Sequence, residues 1–367
     1  MILDELVKFS NYYGSQPELV LAGGGNTSAK QGNVLYIKAS GTALATITAD
    51  GVVKMDRTLL AQMFMKKYPE DDDAREAEAL ADLMAARMPG EEAKRPSVET
   101  TLHGLFPQTF VLHLHPALVN GLTCGKNGEA IARDLFGDDF LWIEICRPGY
   151  ILAKLCYEEI EKYSRRTGKT VSTVILQNHG IFMAADTVEE LDTILRKVMA
   201  ALEQWVKRQP DLSAVTGIPE EAEKIACKVS KLYSENSSVI YDGNTEARRF
   251  SQSEKTAAPL MLPFTPDHIV YCRAFPLFIE SAGDLEQKFA EYKKANGYAP
   301  KIVIAKGLGF FAVGQNEKDA KTAQVLFNDA IKVAVYSESF GGPLHMTEEL
   351  VDFIINWEVE SYRQKQN

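Results

Sequence analysis

The sequence predicts an α/β protein: one full domain followed by a smaller, degenerate α/β copy of part of it. Three observations carry this expectation. Strand-like apolar runs alternate along the chain with helical apolar stripes. A strand–turn–helix segment of the first half recurs in the second. The chain has 367 residues, 46% of them hydrophobic, which at roughly 100–200 residues per domain suggests two or three domains with ample core.

The first stretch reads as a helix, followed by VLAGGGNTSA and a strand-like VLYIKAS that ends at Gly41. Residues 57–88 read as two helical pieces. In the second, Ala77, Leu80, Ala81, Met84, Ala85 and Met88 recur at helical spacing. Asp71 to Asp73 are its cap candidates and Pro89-Gly90 its stop. RPSVETTLHGLF comes next, then TFVLHLHPALV as an alternating strand. VSTVILQNHGIFMAA reads as a further strand with a turn inside it. The helix after it is the best defined: Thr187 and Glu190 have capping-box spacing, and Leu191, Ile194, Leu195, Val198, Met199 and Leu202 form one apolar stripe.

Residues 208–219 break the pattern and are the candidate linker, so the expected domains are 1–207 and 220–367. Pro219 is placed to open a helix with Ala222, Ile225, Ala226, Val229 and Leu232 on one face. VILQNHGIFMAADTVEELDTI from Val174 aligns without a gap on VIAKGLGFFAVGQNEKDAKTA from Val303, an offset of 129. Gly180 matches Gly309 and the Thr187 cap matches Asn316, but His179 becomes Leu308. Upstream, TFVLHLHPALV loosely resembles HIVYCRAFPLF, again without the histidines. The second half is expected to keep the fold, lack the polar site, and serve a structural or interface role.

Composition excludes several classes. The formal charge is −10, which disfavours nucleic acid as a partner, since phosphate contacts need clustered Lys and Arg. Between Glu70 and Glu92 nine acids and two bases give −7, so the acidity belongs to one helical segment. A solvated helix is its expected role, ahead of a lid. No apolar run approaches the ~20 residues that span a bilayer. MILDELVKFSNYYG carries acids early and lacks a signal-peptide pattern. The five cysteines form no CxxC pair and are odd in number, as expected for free thiols in the cytoplasm.

Three motifs carry chemistry. His113 and His115 are two apart on a strand and so share a face. A lone pair of this kind is usually two partly exposed histidines. His179, at a turn after an apolar strand, makes a third, and three His with an open position is the catalytic-zinc arrangement. The chain has only six histidines. Glu99, in PSVETTLH, is the carboxylate candidate for a fourth ligand or a general base. Gly23-Gly24-Gly25-Asn26-Thr27-Ser28 is a Gly-rich loop with added donors, and Ser40-Gly41 closes the next strand. Neither is a Walker loop. Gly307-Leu308-Gly309-Phe310-Phe311-Ala312 fits a dinucleotide fingerprint, but the chain continues as strand where a helix must start, so no NAD is expected there.

In order along the chain, GGGNTS at 23–28, SG at 40–41, PSVETTLH at 96–103, HLHP at 113–116 and NHG at 178–180 resemble the class II aldolase/adducin family over roughly residues 1–207. The resemblance implies a three-layer α/β/α domain with a central mixed, largely antiparallel sheet. It also implies a sugar-phosphate substrate held by Gly25, Asn26, Ser28, Ser40, Gly41 and Ser97. Glu99 becomes the catalytic acid/base. His113, His115 and His179 become the ligands of Zn²⁺ or another divalent metal. A homo-oligomer, dimer or tetramer, is expected.

The sequence departs from the family pattern at Val98, where a second serine is usual, in the long acidic insert, and in the C-terminal half. That half looks like part of the aldolase portion of bifunctional aldolase/dehydrogenase chains, ending where their dehydrogenase would begin. The expected activity is retro-aldol cleavage of a ketose 1-phosphate or related keto sugar. A zinc-dependent epimerase or dehydratase, and a non-catalytic adducin-like scaffold, are the other readings. Epimerising relatives typically carry Asp where this chain has Glu99, and scaffold relatives lack the histidines. His103, four residues after Glu99, is expected to be structural rather than a ligand.

Overall fold

The computed structural model describes residues 2–234 and 237–356; the last part of the expected second domain, 357–367, lies outside the described residues. The chain divides into two compact units. The first holds residues up to Val119 and Gly128–Trp205; the second holds Asn120–Asn127 and the chain from Val206 on.

The first unit begins with α1 (Ile2–Gly14), β1 (Asn26–Gln31), β2 (Val34–Lys38) and β3 (Val52–Asp56). Helices α2 (Arg57–Met63), α3 (Asp72–Ala85) and α4 (Thr100–Leu105) follow, then β4 (Phe110–Leu114). After α5 (Ala117–Thr123) come α6 (Gly128–Phe136), β5 (Leu141–Ile143), α7 (Tyr150–Thr167), β6 (Thr173–Leu176), β7 (Gly180–Ala185) and α8 (Val188–Trp205). The strands form one seven-stranded mixed sheet in the order β3-β2-β1-β4-β7-β6-β5, antiparallel except for β5 beside β6. Helices cover both faces. On one, Leu102 and Phe106 around α4 and Leu152, Ala153 and Cys156 of α7 pack on Val111, Val174 and Phe182. On the other, α1 meets β1 and α8 meets β7. Alternation along each strand divides these two sets.

One sequence expectation needs correction here. The Asn-Thr-Ser of the Gly-rich stretch is not loop: Asn26 opens β1, which pairs with both β2 and β4. Polar residues at 26, 28, 30 and 31 hid this strand from hydropathy. Lys30 shows the consequence. Its side chain is buried, with Nζ donating to Gln108 O at 3.0 Å, and burial lowers its ammonium pKa to about 7. The folded value lies below the unfolded 10.5, so the cost of the buried charge is full below pH 7 and fades as pH rises toward 10.5. Lys30→Met should therefore raise the melting temperature most below pH 7. The gain should vanish near pH 10.5, as a thermal melt series would read.

The acidic segment is packed rather than simply solvated. Ala79 and Leu83 of α3 join a buried cluster with Leu35, Ile37 and Met55. Asp71 caps α3 by accepting from Ala74 N. Glu76 Oε2 accepts from Tyr150 N at 3.1 Å, at the start of α7, where the N-cap Gly149 has no side chain to offer. Asp82 accepts from Tyr68 Oη at 2.6 Å. The expected apolar stripe is corrected here: Ala77, Ala81 and Ala85 are exposed, Leu80, Met84 and Met88 are half-buried, and Ala79 and Leu83 make the buried side of α3.

The second unit contains α9 (Glu220–Leu232), β8 (Ser238–Asp242), α10 (Thr245–Phe250), α11 (Glu254–Ala257) and α12 (Pro266–Cys272). Then come β9 (Leu277–Ile279), α13 (Leu285–Asn296), β10 (Ile302–Ala305), β11 (Gly309–Gly314), α14 (Glu317–Ser337) and α15 (Glu348–Asn356). Its four strands lie in the order β8-β11-β10-β9, with β10 parallel to β9 and the other pairs antiparallel. This repeats the order and pairing sense of β4-β7-β6-β5.

The upstream part of the sequence echo is corrected by this topology. HIVYCRAFPLF is not the counterpart of the His-bearing strand, because its first half is helix α12. The counterpart is β8: Tyr241 pairs with Phe311 as His113 pairs with Phe182. Tyr241 Oη donates to Leu308 O at 2.8 Å, closing the place that a His pair and a His turn take in the first sheet. Gly180 and Gly309 have the same task. A Cβ on either would stand 2.4 or 2.3 Å from the carbonyl oxygen of Leu114 or Asp242, so each hairpin turn can lie against the neighbouring strand end only as glycine.

Candidate metal centre

Four side chains from three places meet at the C-terminal end of β4. His113 lies on the strand and His115 one residue past its end, so strand alternation puts both on one face. His179 sits in the β6–β7 turn. That turn is closed by His179 N to Leu176 O at 3.2 Å and by Asn178 at φ 53, a left-handed conformation asparagine tolerates better than most residues. Glu99 is the N-cap of α4 but makes no side-chain cap bond, so its carboxylate is left to the cluster.

The ligand atoms of Glu99, His113, His115 and His179 all lie within 4.8 Å of one another. Glu99 Oε1 is 3.1 Å from His113 Nε2 and 3.2 Å from His179 Nε2. The Nε2 atoms of His113 and His115 face each other at 2.8 Å. His113 Nδ1 is 3.0 Å from Ile181 O; a carbonyl only accepts, so Nδ1 carries the proton and Nε2 presents its lone pair. A lone pair that meets another imidazole nitrogen and a carboxylate at these distances needs a proton or a cation among them. The donor set therefore fits a divalent metal ion, with imidazole and carboxylate ligands in the types zinc takes.

Electrostatics agree with ligand duty. Burial presses the His113 imidazole down to about 4, so it is neutral at neutral pH even beside a carboxylate. Asn26, paired with His113 across β1 and β4, donates its Nδ2 to Glu99 Oε2. The ring of Phe182 stacks on His113 at 3.9 Å and backs it from the core.

The phosphate candidates divide. The bridge between Ala39 and Pro96 sets Ser40 and Gly41 beside Ser97, whose N–H donates to Lys38 O at 3.3 Å. Ser97 Oγ accepts from Glu99 N at 3.3 Å, tying this corner to the acid/base candidate. Gly25, at φ 70, lies where a Cβ would come within 3.1 Å of His113 O. Ser28 does not join them: it is fully buried, and its Oγ is 2.8 Å from His103 Nδ1. His103, expected to be structural, has in Ser28 a partner that the sequence did not reveal. The signal available was spacing: His103 follows Glu99 by one helical turn.

Gly180→Ala tests the turn. Its Cβ would also meet His115 Cδ2 at 2.7 Å, so the variant should shift His115, weaken metal binding measurably in a chelator competition, and lose about 1–3 kcal/mol of stability.

Among known proteins, "Uncharacterized oxidoreductase YuxG" of Bacillus subtilis (strain 168) is 25% identical over 409 residues, covering 98% of this chain. The chain spans only 58% of that protein's length. The N-terminal class II aldolase domain of a conserved protein from Thermoplasma acidophilum is 28% identical at a TM-score of 0.46, covering 55% of this chain and 92% of that one. An L-fuculose 1-phosphate aldolase is 19% identical at a TM-score of 0.38, covering 56% of this chain and 84% of that one. The family model described as "Class II Aldolase and Adducin N-terminal domain" matches residues 4–206, a span that contains every residue of the cluster. The chain belongs to the class II aldolase/adducin family.

Proposed function

We propose that this chain is a zinc-dependent aldolase that cleaves a ketose 1-phosphate or a related keto sugar by a retro-aldol reaction. The observation that carries the reading is the position of Glu99: its Oε1 stands 3.1 and 3.2 Å from two of three clustered imidazole nitrogens. A base and a cation site thus share one corner.

His113, His115, His179 and, in the resting site, Glu99 would hold the metal. Once bound, it supplies Lewis acidity at the substrate's carbonyl and hydroxyl oxygens. In the cleavage direction the hydroxyl on the departing carbon gives up its proton, the C–C bond breaks to release the aldehyde, and Glu99, at Oε1, would return a proton to the carbon next to the carbonyl, while Asn26 keeps Oε2 turned away. Ser40, Gly41 and Ser97, with Gly25 and Asn26, receive the phosphate through hydroxyl and backbone donors.

The proposed form is a cytoplasmic homo-oligomer. Five free thiols support a reducing compartment, and no helix among the described residues is long and apolar enough to cross a membrane.

The test is a retro-aldol assay over a panel of ketose phosphates and free keto sugars, with metal content measured on the same sample. Aldehyde release that tracks zinc content supports the reading. Isomerised substrate without cleavage would favour an epimerase. A chain with neither metal nor turnover would be the scaffold. The second unit is proposed to be structural. Residues Lys126 and Asn127 donate their N–H groups to Gly342 O and Phe340 O at 3.0 and 2.9 Å, and truncation after 207 removes these acceptors. The truncated chain should be insoluble or inactive, and a soluble, fully active fragment would overturn this part.

A further inference from the structure

We infer that Ser28 and His103 are positioning residues that set the direction of the Glu99 carboxylate. The inference rests on Glu99 being the acid/base of the reaction proposed above. Two side-chain ties join β1 to α4. In one, Asn26 Nδ2 donates to Glu99 Oε2. In the other, Ser28 Oγ and His103 Nδ1 are 2.8 Å apart.

The spacings match. Asn26 and Ser28 are two apart on a strand, so they share a face about 6.5 Å apart along it. Glu99 and His103 are four apart, and four residues of helix rise about 6 Å. His103 N donates to Glu99 O at 3.1 Å, so the two belong to one turn. The strand and helix are thus joined by two rungs of nearly equal pitch. Core packing of Leu102 and Phe106 seats α4, and the second rung fixes its polar side against β1 in register with Asn26 and Glu99.

Packing does not explain the second rung. Ser28 and His103 are both 0% exposed. His103 Nε2 is buried without a hydrogen-bond partner among the described residues, a destabilising arrangement that a leucine would avoid. What the imidazole adds over leucine is a directional bond to Oγ in a dry environment. The same ring meets the edge of Phe182 at 5.3 Å, and Phe182 is the ring stacked on His113. His113 itself is held separately by its Nδ1–H bond to Ile181 O.

The experiment joins crystal structures of Ser28→Ala and His103→Leu with kinetics of each change in wild-type and Glu99→Gln backgrounds. The Glu99 oxygens should move by about 1 Å or more from His113 and His179 while the three histidines stay in place. In the wild-type background kcat should fall about 10–100-fold with KM little changed. In the Glu99→Gln background the same changes should add almost nothing. Ser28→Thr, which restores the hydroxyl, and His103→Asn, whose amide reaches the Nδ1 position, should recover most of the loss. Ser28→Cys, close in volume, replaces the alanine variant if that does not fold.

An unmoved Glu99, or an equal loss of rate in both backgrounds, would overturn the inference, because plain destabilisation acts through either background. The crystallographic reading needs no turnover. A wild-type chain that cleaves no keto sugar would overturn the proposed function, and the position of Glu99 in Ser28→Ala would still decide this one.

Discussion

Under the proposed aldolase reading, Glu99→Gln should lower retro-aldol turnover by about 10²–10⁴-fold, the usual worth of a positioned general acid–base, and leave the metal bound. The reason is local. Gln keeps the shape of the side chain, and His113, His115 and His179 still offer three imidazole nitrogens. What disappears is an oxygen that can take and return a proton at 3.1 Å from His113 Nε2. KM for the phosphorylated substrate should change little, since Ser40, Gly41 and Ser97 are untouched. Steady-state kinetics with metal analysis of the same preparation reads both parts. Full activity in the glutamine variant would remove Glu99 from the mechanism. Loss of zinc would instead make it chiefly a ligand.

His113→Gln should fail in the opposite order: metal first, then turnover as a consequence. His113 is fully buried, and its Nδ1–H bond to Ile181 O fixes Nε2 toward the other donors. Partners that only orient a ligand are worth about 10–100-fold in metal affinity, so removing a ligand should cost more than about 100-fold. Zinc content after dialysis against a competing chelator measures this. Added zinc in excess should restore part of the turnover in His113→Gln and none in Glu99→Gln. A variant that retains stoichiometric zinc would show that the cluster binds metal without His113.

The clustering of the three histidines was legible because histidine is rare in this sequence: there are six, three of them in two short motifs. The hairpin and helix of 173–205 were legible because capping and periodicity agree there. Glu190 N donates to Thr187 Oγ1 at 3.2 Å, and Leu191, Leu195, Val198 and Leu202 are buried as the stripe requires. Strand β1 was not legible. Its face toward α4 carries Asn26, Ser28 and Lys30, so apolar alternation, the usual signal, is missing. Ser28 was misplaced for the same reason. Read as a loop residue it looked like a phosphate donor; as a strand residue it points inward to His103. The acidic helix misled in a different way. Its charge dominated the count, while two buried residues, Ala79 and Leu83, set its packing.

The sequence by itself determined the α/β class, the family, the three histidines with their glutamate, and the recurrence of one strand–turn–helix unit. These follow from residue type and short-range spacing, which a linear chain displays directly. Only the tertiary structure decided which strand stands where His113 stands in the second sheet. It also decided that Tyr241 and Leu308 close that place, and that Asn26 and Ser28 tie β1 to α4. Such facts depend on pairing register between segments far apart in the chain. A one-residue slip would turn each of these side chains to the opposite face, and no local pattern records which register the folded sheet adopts.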